Sequence, residues 1–192
     1  MRWFFVVVNF NSNNMQRFLI FLLLLYAAAA QAGTPVAYHK ITLLMATRTE
    51  FTAVSDDSVT AKAAIEAAIQ EFNRIDALIS EWKPASQTSE INRNAGIKPV
   101  VVDQELYDLI ARSIRISKLT NGAFDLSFAA VDKVWKFDGS MQQLPSANAV
   151  AASVSKIGYE KIVLDPATHS VFLKEKGMKI GFGGIGQGYA VV

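Results

Sequence analysis

Cysteine is absent from the sequence. This absence excludes disulfide bonds, thiolate metal sites, a cysteine nucleophile and an anchor attached to an N-terminal cysteine. Histidine is nearly absent too, since His39 and His169 are the two in the chain. They lie far apart in the sequence and lack companion carboxylates at ligand spacing, so they do not predict a metal site.

Most of the chain also has no excess of positive or of negative charge. There are 19 basic and 17 acidic residues, and the segment that contains Arg2 and Arg17 has no acidic residue. The rest is therefore balanced and shows no basic surface of the kind that binds nucleic acid, so we expect no nucleic-acid partner. With 192 residues, of which 51% are hydrophobic, the chain is long enough to bury a core.

The N-terminal segment has no apolar run long enough for a typical membrane span, which needs about 20 residues. Its run covers 18–30 and ends in the small-residue site Ala30-Gln31-Ala32. This pattern predicts a secretory signal over residues 1–32, with 1–14 as an upstream extension and the mature domain at 33–192. We expect export to the periplasm, either free or held at the inner membrane if the run at Trp3–Val8 lengthens a retained anchor.

Residue types and hydrophobic periodicity predict that the domain begins with one or two strands, followed by a long helix. Residues 36–54 are rich in β-branched and aromatic side chains, which predicts one long strand or a strand pair with Met45 inside it. A helix is predicted from Asp57-Ser58 to near Ser80, because apolar residues recur at helical spacing in Ile65, Ile69, Phe72, Ile75 and Ile79. The polar stretch 81–98, with Trp82 in it, is predicted to be a loop.

The second half predicts further helices and strands. Asp103 is expected to cap a helix with a buried stripe that Asn121-Gly122 ends, and a loop or short helix should follow through Trp135. A third helix is predicted from Pro145-Ser146 to Gly158. Strands are predicted in a hairpin at 161–165 and 170–174, and again at 178–182. Helices and strands without a repeat or linker indicate a single α+β domain.

The glycine-rich segment 181–190 is the most informative local feature. A loop of this kind before a helix exposes backbone N–H groups that can hold a phosphate. The alternative is structural, because glycines also allow close packing of a strand and a helix. The segment satisfies the dinucleotide pattern G-x-G-x-x-G, but the second strand and acidic residue of a dinucleotide fold do not follow it.

Three other residues are candidates with ordinary alternatives. Trp82 offers a flat apolar face for stacking, and Met45 offers a polarizable side chain, although both residue types usually belong to a core. Asp125, after Gly122, can accept hydrogen bonds from a ligand hydroxyl or ring N–H. A single Asp is more often a cap or a turn former.

In order along the chain, these features resemble one family. The motifs are Met45-Ala46-Thr47 in an early strand, Glu81-Trp82-Lys83-Pro84 with Ser89-Glu90-Ile91, Gly122-Ala123-Phe124-Asp125, and Gly184-Ile185-Gly186-Gln187-Gly188-Tyr189-Ala190. Their succession over about 37–192 resembles the FAD:protein FMN transferases of the ApbE family. The resemblance implies an α+β, T-fold-like domain that is incomplete at its C-terminus.

The resemblance also implies an activity and a site. It implies a magnesium-dependent enzyme that moves FMN from FAD to a Thr or Ser hydroxyl of an acceptor flavoprotein, a subunit of a membrane or exported redox complex. The residues that it implies for FAD are Met45, Trp82, Ala123, Phe124, Asp125 and Gln187. The Ala190 position would offer its backbone carbonyl to Mg²⁺, a hard cation that prefers oxygen ligands.

The sequence departs from the family pattern in three places. Ala46 stands where the family commonly has Gly, Gln187 stands where Lys or Glu is frequent, and Val192 replaces a frequent Asp. The downstream acidic and Thr ligands for magnesium are absent, so we expect little turnover from this chain alone. Two alternatives stay open, a noncatalytic exported FAD-binding or structural remnant and an exported binding module unrelated to flavin.

Overall fold

The computed structural model of the protein describes residues 34–135 and 139–191, together with Arg17 and Ile20. Apart from those two residues, the predicted signal segment lies outside the described part of the chain. No helix within the described residues is both long enough and apolar enough to cross a membrane.

The described chain opens with a β-hairpin. Strands Val36–Leu44 (β1) and Thr47–Ser55 (β2) form a two-stranded sheet, which confirms the predicted strand pair. Met45 and Ala46 are the two turn residues, with φ of 47° and 59°. The prediction that Met45-Ala46 lies within a strand was therefore wrong, because a two-residue hairpin turn matches the strand twist best when both residues have positive φ.

The long helix α1 spans Ser58–Ile79, as predicted. Asp57 begins it by accepting hydrogen bonds from the backbone N–H groups of Val59 at 3.1 Å and Thr60 at 2.9 Å. Such a cap satisfies N–H groups that have no partner within the helix. The predicted apolar stripe is buried along its whole length, at Ile65, Ile69, Phe72, Ile75 and Ile79.

A short helix interrupts the segment that was predicted to be a loop. Helix α2 spans Gln87–Arg93, and the Ser86 hydroxyl caps it by accepting from the Ser89 backbone N–H at 3.0 Å. Thr88 and Ile91 are buried although most neighbouring residues are polar. The loop prediction was wrong here because a serine cap and three buried residues, Thr88, Ser89 and Ile91, are enough to form a helix of two turns.

Strand Val100–Val101 (β3) leads into helix α3 at Gln104–Leu119. Asp103 occupies the N-cap position, but its carboxylate accepts a hydrogen bond from Gln87 Nε2 at 2.6 Å and caps no backbone N–H. The buried stripe contains Leu106, Leu109 and Ile110 and continues through Ser113 and Ser117. The predicted stop is confirmed, since Asn121 and Gly122 have φ of 50° and 80°.

Two short helical segments precede the last two strands of a small antiparallel sheet. A 3₁₀ helix covers Leu126–Lys133, and α4 covers Ala147–Val154, ending earlier than predicted. A 3₁₀ turn at Tyr159–Lys161 precedes the predicted hairpin, which is confirmed and consists of strands Ile162–Asp165 (β4) and Ser170–Leu173 (β5). The sheet order is β3-β5-β4, so β5 is the central strand.

The strand predicted at 178–182 is not a strand in the structure. Met178, Ile180 and Phe182 are buried, which explains the alternating apolar pattern. The backbone of Ile180 is bound instead by the side chain of Asn92, at 2.8 Å to its N–H and 2.9 Å to its carbonyl. The segment ends in the five-residue helix α5, Gly186–Ala190.

The contacts divide the chain into two compact units. The described part of one unit covers residues 34–42 and 48–67, the hairpin strands and the first half of α1. The other unit covers 43–47 and the described residues from 68 onward, with the three-stranded sheet, helices α2 to α5 and the hairpin turn. All of the candidate site residues belong to this second unit.

Candidate functional site

Two adjoining cavities lie within the second unit. Their volumes are about 400 Å³ and about 1220 Å³. Sites for small molecules in proteins typically measure roughly 300–1,000 Å³, so the pair is large enough for an extended ligand. The residues that border both cavities are Ala46, Glu81, Trp82 and Gly183.

The smaller cavity brings together two candidates that are far apart in sequence. Met45, half-buried in the hairpin turn, and Gln187, exposed on α5, both line it. Gln187 Nε2 donates a hydrogen bond to Thr47 Oγ1 at 2.6 Å. This bond joins the hairpin turn to α5 and orients the amide beside the cavity.

Trp82 stands between the two cavities with 75% of its surface exposed. The Lys179 ammonium lies 5.8 Å from the centroid of its ring. An exposed indole face beside a cavity is unusual, because large aromatic side chains are mostly buried. It provides a surface on which a planar ring can stack.

The larger cavity is lined by the turn and loop that follow α3. Ala123, Phe124 and Asp125 all border it, with Phe124 half-buried and Ala123 exposed. Exposed Phe128 and half-buried Trp135 add two aromatic faces. Three aromatic side chains and a polar backbone suit a ligand that combines planar rings with polar groups.

The carboxylate of Asp125 already has three hydrogen-bond donors. Its Oδ1 accepts from the Ser127 N–H at 2.8 Å and from the Ser127 hydroxyl at 2.7 Å, and Oδ2 accepts from the Tyr159 N–H at 2.8 Å. These bonds cap the 3₁₀ helix and tie it to the turn before β4. The structural alternative for Asp125 thus has direct support, and its contact with ligand stays a prediction.

Close packing accounts for several of the glycines. A Cβ at Gly186 would lie 2.7 Å from Ile79 Cδ1, and one at Gly181 would lie 1.9 Å from Glu81 Oε2. A Cβ at Gly183 or Gly188 would meet nothing within 4 Å. Gly183 borders both cavities, so its lack of a side chain leaves backbone open to a ligand.

A charged network that lines neither cavity holds α5 in place. Tyr189 donates its hydroxyl to Glu105 Oε1 at 3.0 Å, and Arg74 binds the same carboxylate at 2.7 and 2.9 Å. Hydrogen bonds from Arg74 lower the pKa of Glu105, so Glu105 is ionised near neutral pH. Burial and the bond to Glu105 raise the pKa of Tyr189, which keeps its hydroxyl protonated.

Ala190, the candidate for metal, lies at the end of α5 and is buried at 8% exposure. It is not among the residues that line either cavity. Within the described residues, no group of three or more His, Cys, Asp or Glu side chains is placed to hold a metal ion. The role of the Ala190 carbonyl as a ligand for Mg²⁺ therefore stays a prediction.

Six of the seven candidates from sequence line the cavities, and Ala190 does not. Sequence reasoning missed Glu81, Phe128 and Trp135 as lining residues. For Glu81 a signal existed, because it directly precedes Trp82 in the same motif. The positions of Phe128 and Trp135 depend on the turn of the 3₁₀ helix, which has no regular hydrophobic pattern.

The comparisons with known proteins agree with one another on a single family. The model of the ApbE family matches residues 45–192. An FAD:protein FMN transferase of Klebsiella pneumoniae (strain 342) is 30% identical over 120 residues, which is 62% of this chain and 38% of that protein. An FAD:protein FMN transferase of Chlamydia pneumoniae is 25% identical over 177 residues, 91% of this chain and 54% of that protein.

Solved structures show the same fold. The crystal structure of the ApbE protein from Thermotoga maritima matches with a TM-score of 0.73 and 27% identity, over 81% of this chain and 50% of that chain. The flavin transferase ApbE from Vibrio cholerae matches with a TM-score of 0.70 at 18% identity, over 82% of this chain and 51% of that chain. The chain thus spans about half the length of these structures, and the likeness confirms the predicted α+β fold.

Proposed function

The chain belongs to the ApbE family, and on that premise we propose that it serves in the transfer of FMN from FAD to a hydroxyl group of an acceptor protein. The curated members that it matches are named for this reaction. We propose FAD as the ligand of the two cavities and a flavoprotein subunit of a membrane or exported redox complex as the acceptor.

One observation carries this proposal. Residues from four separate motifs, namely Met45, Trp82, the Ala123-Phe124-Asp125 segment and Gln187, line two cavities that adjoin each other. These motifs are spread over more than a hundred positions in the sequence. A purely structural role for each residue would not require all of them to line the same two cavities. A common ligand explains the convergence.

The chemistry of the lining suits FAD. Trp82 and Phe124 offer faces on which the flavin or adenine ring can stack, and the Gln187 amide can both donate and accept a hydrogen bond. A Cβ at Gly183 would meet nothing within 4 Å, so a phosphate group could approach the backbone at this residue closely. These residues bind and orient the substrate.

The proposed reaction balances as a phosphoryl transfer. The oxygen of an acceptor Thr or Ser forms a bond to the phosphorus of the FMN half, and the pyrophosphate P–O bond breaks. AMP leaves, and the hydroxyl proton goes to a base or to solvent. Positioning and neutralisation of charge provide most of the catalysis in reactions of this class.

Magnesium is part of the proposal, although the described side chains do not group into a site for it. When bound, Mg²⁺ would neutralise charge on the pyrophosphate, and it commonly combines a few protein oxygens with phosphate oxygens and water. The family resemblance implies the Ala190 carbonyl as one such oxygen, although Ala190 lines neither cavity. The roles proposed for the other residues of this chain do not depend on the metal.

A second candidate function is binding of FAD without turnover. It is favoured by the lack of a cluster of metal-binding side chains among the described residues. Without ligands for a cation, the charge that develops on the pyrophosphate would be less stabilised. The two candidates share the cavities and differ in whether AMP is released.

We further propose that the domain at 33–192 works outside the cytoplasm, after export directed by residues 1–32. This proposal rests on the signal pattern in the sequence. Expression of the full chain in a Gram-negative host, followed by fractionation and N-terminal sequencing, tests it. A periplasmic protein that begins at Gly33 is expected, and a full-length cytoplasmic product would contradict export.

A transfer assay tests the proposed function. The full chain is incubated with FAD, Mg²⁺ and a purified flavoprotein that carries a known flavinylated Thr, and both AMP release and covalent flavin on the acceptor are measured. A transferase gives both products in equal amounts. Bound FAD without AMP supports the second candidate, and absence of both binding and AMP removes both candidates.

A further inference from the structure

Helix α5 is too short to be stable by itself. It has five residues, Gly186–Ala190, and isolated helices shorter than about 12–15 residues are marginal in water. Two of the five residues are glycines, which favour the unfolded chain. Ile185, at its N-cap position, makes no side-chain cap. The position of α5 must therefore come from its contacts with the rest of the unit.

Two side-chain hydrogen bonds supply those contacts. Gln187 binds Thr47 at 2.6 Å on the side of the cavity, and Tyr189 binds Glu105 at 3.0 Å on the other side of the helix. Packing contributes as well, because Gly186 and Ala190 are buried. Of the two bonds, the Tyr189 bond has a charged acceptor and is the stronger type.

The acceptor of that bond is itself held firmly. Arg74 Nη1 and Nη2 bind the two oxygens of Glu105 at 2.7 and 2.9 Å, a bidentate pair that fixes the plane of the carboxylate. Arg74 also binds Glu71 on its own helix, with Nε at 2.9 Å from Oε2 and Nη2 at 2.7 Å from Oε1. The network thus connects α1 and α3 to the hydroxyl of Tyr189.

We infer that Tyr189 and Glu105 are positioning residues that fix α5, and through it Gln187, at the border of the smaller cavity. The inference rests on the proposed function in so far as FAD is the ligand of that cavity. Neither side chain lines a cavity, so both act through Gln187 and not by touching the ligand.

The test combines amide hydrogen exchange with FAD binding in the full chain. In Tyr189→Phe and in Glu105→Ala we expect exchange of the amides at 188–191 to rise about tenfold, the factor that loss of a hydrogen bond to a charged acceptor gives. The double variant should exchange no faster than the single variants, because both remove the same bond. FAD affinity, measured by flavin fluorescence, should fall several-fold in all three.

Two matched controls separate positioning from general destabilisation. Tyr107→Phe removes a hydroxyl from a buried tyrosine whose ring is tilted by 54° against the ring of His169, and Glu71→Ala removes the other carboxylate that binds Arg74. Both should leave exchange at 188–191 and FAD affinity unchanged. Thermal unfolding of every variant shows whether a global loss of stability accounts for the exchange.

Each outcome decides the inference. Unchanged exchange at 188–191 in Tyr189→Phe overturns it, and so does equal FAD affinity of the variants and the wild type. If the wild-type chain binds no FAD, the proposed function fails, and the exchange measurement alone decides whether Tyr189 and Glu105 fix α5.

Discussion

Ala46 has a backbone conformation that its side chain disfavours. Its φ of 59° lies in the left-handed region, where a residue with a Cβ costs roughly 1–2 kcal/mol more than glycine does. The preceding residue, Met45, has a φ of 47° and lines the smaller cavity. Strain in this turn is therefore placed next to the candidate site.

Ala46→Gly should stabilise the protein. Relief of the strained φ outweighs the greater freedom that glycine has in the unfolded chain, so we expect a gain of about 0.5–1 kcal/mol in the free energy of unfolding. Urea denaturation followed by circular dichroism measures it. Ala64→Gly, at an exposed position inside α1, is the matched control and should destabilise by about 1 kcal/mol.

Residue types predicted which side chains line the cavities better than they predicted the local geometry. Trp82 was recognised from its position in a polar loop, and the structure leaves it exposed at the cavity border. The local hydrogen bond of Asp125 to Ser127 fits the capping role that the sequence offered as the alternative, but the bond to Tyr159 had no signal there, because Tyr159 is distant along the chain. Contacts of this kind depend on the tertiary fold.

At the scale of elements, Asn92 joins α2 to the segment before the glycine-rich loop. Its amide makes two hydrogen bonds to the backbone of Ile180, at 2.8 and 2.9 Å, and Ile180 is fully buried. This side chain takes the place of a neighbouring strand. It thereby fixes the approach of the chain to the cavities.

Asn92→Ala should therefore be strongly destabilising. It leaves a buried N–H and a buried carbonyl of Ile180 without partners, for an expected loss of about 2–4 kcal/mol. Asn94→Ala, which removes a single bond to the Glu90 carbonyl in the same helix, should cost less than about 1 kcal/mol. Equal losses in the two variants, measured by urea denaturation, would contradict the role given to Asn92.

The link between α1 and α3 predicts a dependence on pH. Arg74 lowers the pKa of Glu105 from its usual 4.5 in the folded protein. Stability from this pair is therefore present above that value and is lost as the pH falls through the lowered folded pKa. Thermal unfolding between pH 7 and pH 2 should show a smaller acid-induced loss in Glu105→Gln than in the wild type, and identical pH profiles would contradict it.

Elements with a regular pattern were predictable and the others were not. The stripe of α1 and the β4–β5 hairpin followed from hydrophobic periodicity and turn residues. Helix α2 was missed because its polar sequence hides three buried positions, and 178–182 was predicted to be a strand because its apolar residues alternate, although the alternation reflects burial alone. A side-chain partner such as Asn92 cannot be inferred from periodicity.

At the scale of the whole molecule, the order of the motifs predicted more than their composition. Each motif has an ordinary structural explanation when taken alone, and together they predicted a family that the match to residues 45–192 confirms. Their convergence on two cavities was not predictable from spacing, since it depends on how the hairpin turn, α2 and α5 pack.

The most direct measurement is an equilibrium titration of the full chain with FAD, followed by flavin fluorescence, in the wild type, Trp82→Ala and Leu119→Ala. Leu119 is a control that is 77% exposed and lines neither cavity. We predict saturable binding of one FAD per chain, an affinity several-fold lower in Trp82→Ala because a stacking face is lost, and no change in Leu119→Ala. Absence of saturable binding in the wild type, or equal affinity in all three proteins, would contradict a flavin site between these cavities.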